Sequence, residues 1–375
     1  MSIAPSAVEE MEPGQAPALA SRLLSKRTVI SIAAAVAIVA VAVWRANIPW
    51  PAVWDQMRRA NLALYLLAIC VYYLSFVFRG ARWQVLLANA GEVRKRRRLA
   101  PLILASFFVN CVVPAKMGDV YRAYLGRVRE RIPASKAFGT VVSERLLDLC
   151  VLMALLLVSG GYVFHKRSSS ALIPYVVGGT LLAAAGIGLI LVMRAGRGRR
   201  VLRLLPEAIF HRYESFRSGA VTSLGRWPTL LALTLAVWMC EAGRLGLVIA
   251  ALGLSSQVGP SQFVLVALVA ALLTTVPFTP GGVGLVQGGV TYTLVWVAGL
   301  TSTTALSVAL VDGSISYGSL LVIGFMFFAA VNLRTQRQRL PERETSAHAP
   351  ELELSSSAQT EAAASAAGRV GQGGI

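Results

Sequence analysis

Residues 228–252 read PTLLALTLAVWMCEAGRLGLVIAAL, and the only ionisable side chains in this stretch are those of Glu241 and Arg244. A helix needs roughly 20 consecutive apolar residues to cross the hydrocarbon core of a bilayer. Similar stretches cover about 28–44, 62–87, 137–164, 171–193 and 304–333. Together they predict an all-α polytopic membrane protein with about six full spans.

The composition of the whole chain supports this class. Of its 375 residues, 55% are hydrophobic and 14% are charged, and the mean hydropathy is +0.63. A soluble domain usually carries about 25% charged residues. This apolar excess excludes an ordinary soluble enzyme.

The first apolar run, 28–44, follows Arg22, Lys26 and Arg27. It has two interpretations, a retained first span or the core of a cleaved signal peptide ending near 40–42, and its length favours a retained span. Residues 1–25 and 335–375 lack apolar periodicity and are expected to be disordered and cytoplasmic. The membrane domain is therefore predicted to cover 26–334.

Two further apolar stretches are short and interrupted. Residues 99–113 end at Pro114, and residues 263–276 end at Pro277 before an apolar run resumes at about 284–300. Such lengths and breaks are typical of re-entrant helical hairpins, which enter and leave the membrane by the same face.

The basic residues predict an orientation. Of the 36 Lys and Arg residues, 29 fall in the segments that this topology places inside, and 5 fall in the outside loops. The runs at 94–98 and 194–203 contribute strongly to this bias. Positive charge collects on the cytoplasmic side, so we expect a multi-pass protein of the cytoplasmic (inner) membrane with both termini cytoplasmic.

A weak internal repeat relates residues 62–164 to residues 228–333. Each half has a span with ionisable residues, then an interrupted hairpin, then a span with a carboxylate, Glu144 or Asp312. The predicted topology orients the two halves oppositely in the membrane. An inverted repeat with broken helices is typical of transporters whose substrate site lies near the midplane.

Ionisable residues inside spans indicate where chemistry is concentrated, since each charge at a helix centre costs about 2.5–3.5 kcal/mol on insertion scales. Glu241 and Arg244 are three residues apart on one helical face and are predicted to pair. Glu144 and Asp148 share another face, whereas Arg145 points away from it. These two carboxylates require a cation, either an arginine of another helix or a substrate ammonium. The alternative role for the whole set is an ion-pair network that fixes helix packing.

The first hairpin combines helix breakers with charged residues: Asn110, Pro114, Lys116, Gly118, Asp119 and Arg122. Lys116 and Arg122 suit phosphate groups, and Asp119 is placed to orient them. The alternative is a basic interfacial loop that touches anionic headgroups without specificity.

The second hairpin is rich in glycine and uncharged. Gly281, Gly282 and Gly284 permit backbone turns that leave amides free for an anion. The alternative is a hairpin turn with no binding role.

Other classes of site are not supported. The four cysteines have no CxxC spacing and the three histidines are scattered, so no metal site and no cofactor are predicted. No catalytic motif is present. The basic residues are distributed by membrane side, which argues against a nucleic-acid partner.

Three quoted segments resemble the lysylphosphatidylglycerol synthase transmembrane family, also described as flippase-like integral membrane proteins. They are the Asn110…Pro114-x-Lys116-x-Gly118-Asp119-x-x-Arg122 segment, Ser143-Glu144-Arg145-x-x-Asp148, and Pro277-x-x-Pro280-Gly281-Gly282-x-Gly284. The resemblance implies a flippase-type fold in which two re-entrant elements line a lipid-headgroup cavity. It also implies transfer of an aminoacylated or otherwise modified lipid between leaflets.

The chain departs from the family pattern at two places. Gln287 stands where the family usually has Glu, and the basic residue that the family commonly has near Asp312 is missing. Both departures argue against a lysyl-lipid substrate, because they change the charge of the second half of the chain. The roughly 40 polar residues after the last span are also too few for the family's aminoacyl-transfer domain.

The first hypothesis is a lipid flippase or lipid-binding transporter for a modified phospholipid, aminoacylated or polyprenyl-linked. The predicted headgroup-binding residues are Arg79, Arg82, Asn110, Pro114, Lys116, Gly118, Asp119, Arg122, Glu144, Arg145, Asp148, Glu241, Arg244, Pro280, Gly281, Gly282, Gly284 and Gln287. The expected partners are membrane phospholipids with anionic headgroups. The alternatives are a membrane-embedded lipid transferase or its membrane subunit, and a scaffold that contacts a lipid-synthesis enzyme through 194–226.

Overall fold

The computed structural model describes residues 49–113, 116–164, 173–196, 206–275 and 280–333, and these ranges contain helices and no strand. The helices are α1 (Trp50–Arg58), α2 (Leu62–Asn89), α3 (Arg96–Val112), α4 (Met117–Glu130), α5 (Ala134–Phe164), α6 (Ile173–Arg194), α7 (Glu207–Thr222), α8 (Trp227–Ala251), α9 (Pro260–Thr275), α10 (Leu285–Ala298) and α11 (Ser302–Gly313). The all-α prediction is confirmed for this part of the chain.

Three helical segments are long and apolar enough to cross a membrane: Leu62–Asn89, Trp227–Ala251 and Ser302–Leu333. They match three of the predicted spans to within two residues at each end. Many of their large apolar side chains point outward, including Leu66 and Met239, which are about half to two-thirds exposed. Outward apolar faces of this kind are suited to lipid contact.

Helices α5 and α6 cover the predicted spans 137–164 and 171–193. The predicted first span at 28–44 and both predicted tails, 1–25 and 335–375, lie outside the described residues. A compact unit extends to Phe328, and the described part of the second unit, residues 329–333, is helical.

Contacts between chain segments define two opposite ends of the bundle. At one end the Asn89 side chain donates to the Ser223 carbonyl at 2.7 Å, and Lys136 pairs with Glu92 at 3.0 Å. At the other end the Asn61 amide donates to the Ala251 carbonyl at 2.8 Å. The predicted basic segment 94–98 and residues 206–226, the described part of the second basic segment after Gly196, belong to the first end.

The two predicted hairpins enter the bundle from opposite ends. Helices α3 and α4 pack against each other and have their outer ends near Arg94, which donates to the Glu130 carbonyl at 3.0 Å. Helices α9 and α10 are joined at their outer ends by the Gln262 amide, which donates to the Val297 carbonyl at 2.9 Å. The two turns meet: a Cβ on Gly281 would lie 3.3 Å from the Cα of Cys111.

The segment 194–226, predicted as a basic cytoplasmic stretch, contains helix α7. This helix packs closely on α5, because a Cβ at Gly139 would lie 2.3 Å from the Phe216 carbonyl oxygen and one at Gly219 would lie 2.2 Å from that of Lys136. Ser143 donates to the Ala220 carbonyl at 2.6 Å across the same contact.

A π-helical segment, Ser314–Ser319, follows α11 and was not predicted. Three tyrosine hydroxyls of α2 bond to it: Tyr65 to Ser314 Oγ at 2.9 Å, Tyr72 to the Ser316 carbonyl at 3.1 Å and Tyr73 to Ser319 Oγ at 2.9 Å. Single π turns within a helix are frequent at functional sites, and this one lines the pocket described next.

Candidate functional site: a polar pocket between the two hairpin turns

A cavity of about 440 Å³ lies where the turns of the two hairpins meet. Its wall is mostly apolar, with side chains such as Leu149 and Leu152 of α5. Its charged and polar lining comes from both halves of the chain: Arg79, Asn110, Lys116, Arg145, Asp148, Glu241, Arg244, Thr274, Asp312 and Ser316. Such a pocket, apolar with a few convergent polar groups, is the usual form of a small-molecule binding site.

One group of ion pairs faces this cavity and is called here the pocket cluster: Arg79, Glu241, Arg244 and Asp312. Glu241 accepts from Arg79 at 2.8 Å through Oε1 and from Arg244 at 3.3 Å through Oε2. Arg244 also pairs with Asp312 and donates to its backbone carbonyl at 3.2 Å. The predicted pairing of Glu241 with Arg244 is confirmed.

A second group adjoins the wall, which it reaches through Asp148, and is called the buried cluster: Arg82, Arg122, Glu144 and Asp148. The side chains of Arg82, Arg122 and Glu144 are inaccessible to solvent. Arg82 bridges Glu144 at 2.9 Å and Asp148, and it donates to Thr234 at 3.0 Å. The cation that Glu144 and Asp148 were predicted to require is therefore an arginine of another helix.

Arg122 completes the buried cluster. Its guanidinium lies 3.2 Å from Glu144 Oε2 and 5.1 Å from the centre of the Trp83 ring. Among the described residues Glu144 is the carboxylate that pairs with Arg122, so this buried ion pair connects α4 to α5.

A separate pair connects the first hairpin to α5. Arg145 donates to both carboxylate oxygens of Asp119, at 2.9 and 2.7 Å, and retains 31% exposure of its side chain toward the cavity. Asp119 was predicted to orient Lys116 and Arg122, and in the structure its carboxylate accepts from Arg145 and, at 3.5 Å, from Asn110.

Gly118 fixes the position of this hairpin turn. A Cβ there would lie 1.9 Å from the Ser106 carbonyl oxygen and 2.6 Å from Asn110 Oδ1, so any larger residue would separate α3 from α4. The Gly118 amide donates to Asn110 Oδ1 at 2.8 Å. This backbone donor is therefore already used within the hairpin.

Lys116 lies at the start of α4 and contacts the cavity. Its backbone has φ 53° and ψ 36°, a left-handed conformation that is uncommon for residues other than glycine. Among the described residues its ammonium has no hydrogen-bonding or ion-pair partner, and the sequence has no ionisable side chain at 114–115 or 276–279. Lys116 thus brings an uncompensated positive charge to the pocket.

Aromatic rings connect the charged groups. The Phe107 ring lies 5.0 Å from the Arg79 guanidinium and 5.9 Å from that of Arg145, and the Tyr72 ring lies 5.3 Å from Arg244. Cation–π contacts of this kind stabilise a guanidinium without neutralising it. The indole N–H of Trp238, by contrast, is buried and has no hydrogen-bond partner among the residues that the structure describes.

The second hairpin turn supplies backbone rather than charge. Gly281 and Gly282 line the cavity with φ of 61° and 76°, so both adopt the left-handed region. The Gly284 amide, predicted to be free for an anion, instead donates to Gln287 Oε1 at 2.7 Å. The Gln287 side chain thus caps α10 and faces Gly313 of α11, close to Asp312.

The structure divides the predicted site residues into two sets. Nine line the cavity: Arg79, Asn110, Lys116, Arg145, Asp148, Glu241, Arg244, Gly281 and Gly282. The lining does not include Arg82, Gly118, Asp119, Arg122, Glu144, Gly284 or Gln287, which support or adjoin it. Pro114 lies outside the described residues, and Pro280 begins a 3₁₀ turn.

Sequence reasoning did not assign several lining residues to the site, among them Tyr72, Phe107, Trp238, Asp312 and Tyr317. Asp312 had a signal, since it corresponds to Glu144 in the repeat, but it was not assigned to the site. The four aromatic residues lie in apolar stretches, where an aromatic facing a cavity has the same sequence pattern as one facing lipid. No metal-binding group of three or more His, Cys, Asp or Glu occurs in the described ranges.

Comparisons with known proteins place this architecture in context. The family model for the lysylphosphatidylglycerol synthase TM region matches residues 32–324. A UPF0104 membrane protein of Methanocaldococcus jannaschii is 29% identical over 230 residues, covering 60% of this chain and 94% of the relative. A UPF0104 membrane protein of Methanothermobacter thermautotrophicus is 23% identical, covering 72% and 86%.

A third relative is larger than this chain. Glycosyltransferase AglD of Haloferax volcanii is 27% identical over 352 residues, which are 83% of this chain and 56% of AglD. The chain therefore matches little more than half of that protein. No solved structure matches.

Proposed function

This chain belongs to the lysylphosphatidylglycerol synthase transmembrane family of integral membrane proteins, and we propose that it binds phospholipid headgroups in the pocket and moves the lipids between leaflets. The acyl chains would remain in the bilayer while the headgroup crosses through the cavity. Without such a path a charged headgroup would face the large cost of entering hydrocarbon.

The observation that carries this proposal is the unpaired Lys116 between the two hairpin turns. A lysine ammonium is a common partner for phosphate, and every phospholipid headgroup contains a phosphate. The partly exposed Arg145 lies beside the same part of the cavity and is placed to donate to a second phosphate oxygen. The left-handed backbone at Lys116 holds the side chain at this point at a conformational cost.

The architecture suits transport. If the hairpins are re-entrant, the first enters from the cytoplasmic side and the second from the opposite side, so the pocket lies near the midplane. The basic end of the bundle would then face the cytoplasm, as the charge bias predicts. Broken helices that meet at a midplane site are typical of transporters built from inverted repeats.

The test is lipid transfer in reconstituted vesicles. Fluorescent phospholipid carrying the label on an acyl chain is quenched from outside, and the remaining signal reports the inner leaflet. We expect the wild-type protein to expose the inner pool and Lys116→Gln to slow this by about tenfold or more, since a charged hydrogen bond contributes about 1.5–3 kcal/mol.

Arg131→Gln provides a matched control. Arg131 follows the other end of α4, is also basic and has nearly the same backbone angles, φ 54° and ψ 34°, but it lies away from the pocket. Equal transfer by wild type, Lys116→Gln and Arg131→Gln, with the proteins folded, would remove the pocket from the transport path.

A second candidate function is the membrane part of a lipid-modifying transferase. It is favoured by the similarity to a larger protein named as a glycosyltransferase. A modified lipid formed by the purified chain from a sugar donor, without any change of leaflet, would support this function over transport.

A further inference from the structure

The charged side chains that line the pocket carry a net positive charge. Its three carboxylates are all paired: Asp148 with Arg82 and Arg145, Glu241 with Arg79 and Arg244, and Asp312 with Arg244. Among the described residues that line the pocket, four are cationic and three are anionic, which leaves a net charge of +1. The residues directly behind the lining, Arg82, Arg122, Asp119 and Glu144, sum to zero and do not alter this value.

The described lining also has unpaired hydrogen-bond donors without a matching number of unpaired acceptors. The buried lining atoms that lack a partner are the Nε–H groups of Arg79 and Arg244 and the indole N–H of Trp238, and all three are donors. These three atoms have almost no accessible surface, so the Lys116 ammonium is the unpaired donor that the described wall offers to an occupant. An occupant that supplies acceptors to it is favoured.

From these two observations we propose that the pocket selects phospholipids with a single net negative charge, a phosphodiester with an uncharged, hydroxyl-bearing remainder, over phospholipids that carry an ammonium group. This selectivity rests on the proposed function, because it assigns the substrate class of the same pocket. The phosphate would pair with Lys116, and headgroup oxygens would accept from the exposed part of the Arg145 guanidinium.

A lipid ammonium has no suitable partner in this pocket. To pair with Glu241 it would displace Arg79 or Arg244, and to pair with Asp148 it would displace Arg82 or Arg145. The displaced guanidinium would then lie close to another positive charge without its partner. Losing one partner of a buried ion pair is strongly unfavourable. Lysyl and ethanolamine headgroups are therefore disfavoured for the same physical reason.

The experiment compares three lipids in one vesicle matrix of phosphatidylcholine. Trace amounts of acyl-labelled phosphatidylglycerol, phosphatidylethanolamine and lysyl-phosphatidylglycerol are followed separately with the full chain. We expect phosphatidylglycerol to move about tenfold faster or more than either ammonium lipid, the ratio that corresponds to one charged hydrogen bond.

Reversing the charge of Lys116 gives the variant with the largest expected change in lipid preference. Lys116→Glu changes the net charge of the lining from +1 to −1 and should reverse the preference, so that lysyl-phosphatidylglycerol moves faster than phosphatidylglycerol. Lys116→Gln should reduce the ratio toward one, and Arg131→Glu should leave it unchanged. Thermal unfolding in detergent identifies any variant that has lost its fold, in which case Lys116→Gln decides the result.

Two readouts separate this inference from the proposed function. If no lipid is transferred but mass spectrometry of the purified protein finds phosphatidylglycerol retained over both ammonium lipids, transport fails and the selectivity stands. If lysyl-phosphatidylglycerol is transferred or retained as well as phosphatidylglycerol, the selectivity is overturned while transport stands. If none of the lipids is transferred and none is retained, both are overturned.

Discussion

The buried cluster and the pocket cluster contain the same residue types, two arginines and two carboxylates each, yet they differ in access. The arginine and glutamate side chains of the buried cluster have no solvent exposure, whereas the Glu241 side chain of the pocket cluster is 16% exposed. The buried cluster joins α2, α4 and α5, and the pocket cluster joins α2, α8 and α11. Helix α2 thus takes part in both ionic networks, through Arg82 in the buried cluster and through Arg79 in the pocket cluster.

This difference in solvent access indicates that the two clusters have different roles. A network whose charged side chains are paired and mostly enclosed fixes the packing of helices. A network that borders a cavity leaves charged side chains partly exposed to a ligand, as the Glu241 side chain is. Substitutions in the two clusters should therefore differ in which property they change.

The largest effect is expected from Glu144→Gln in the buried cluster. It leaves Arg122 without its carboxylate and removes one of the two carboxylates of Arg82, so we expect a loss of about 3–5 kcal/mol in the free energy of unfolding. The measurement is SDS-driven unfolding in micelles. Glu207→Gln is the control, since the Glu207 side chain is 90% exposed and should contribute little.

An intermediate effect is expected from Glu241→Gln in the pocket cluster. Arg244 keeps Asp312 and Arg79 keeps the Phe107 ring, so the loss should be about 1–3 kcal/mol by the same unfolding measurement. The net charge of the lining rises to +2, and more phosphatidylglycerol should be retained by the purified protein. A loss as large as that of Glu144→Gln would mean that both clusters serve packing alone.

The smallest effect on stability is expected from Trp238→Phe. The indole N–H has no partner to lose, and the change should alter the free energy of unfolding by less than about 1 kcal/mol. Retention of phosphatidylglycerol should fall, because a residue of the cavity wall loses its hydrogen-bond donor. Unchanged retention would show that Trp238 is only part of the apolar wall.

Some of this contrast was predictable from the sequence. Glu241 and Arg244 lie on one helical face, so their pairing followed from spacing alone. The need of Glu144 and Asp148 for a cation also followed, because two carboxylates on one buried face cannot remain unpaired. The spans 62–89 and 227–251 were predictable because uninterrupted apolar length is the strongest signal of a membrane helix.

The rest depended on which helices are neighbours. The pairing of Arg79 with Glu241 requires that α2 packs against α8, and no local pattern encodes that contact. The π segment Ser314–Ser319 forms where tyrosine hydroxyls of α2 bond to it, so its cause lies in tertiary structure. The role of Gln287 as a cap was hidden because the same residue type also suits a binding site.

The spacing of Arg79 and Arg82 on α2 has a mechanical consequence. Helix α2 is held by ion pairs at two positions, because Arg79 pairs with Glu241 of α8 and Arg82 pairs with Glu144 of α5. Rotation of α2 about its axis would break both ion pairs. We therefore expect α2 to stay in place while the two hairpins move during transport. Val71 of α2 and Gly243 of α8 lie in contact. A disulfide between Val71→Cys and Gly243→Cys should therefore leave lipid transfer intact. If that bond stopped transfer, the moving part would be α2 itself.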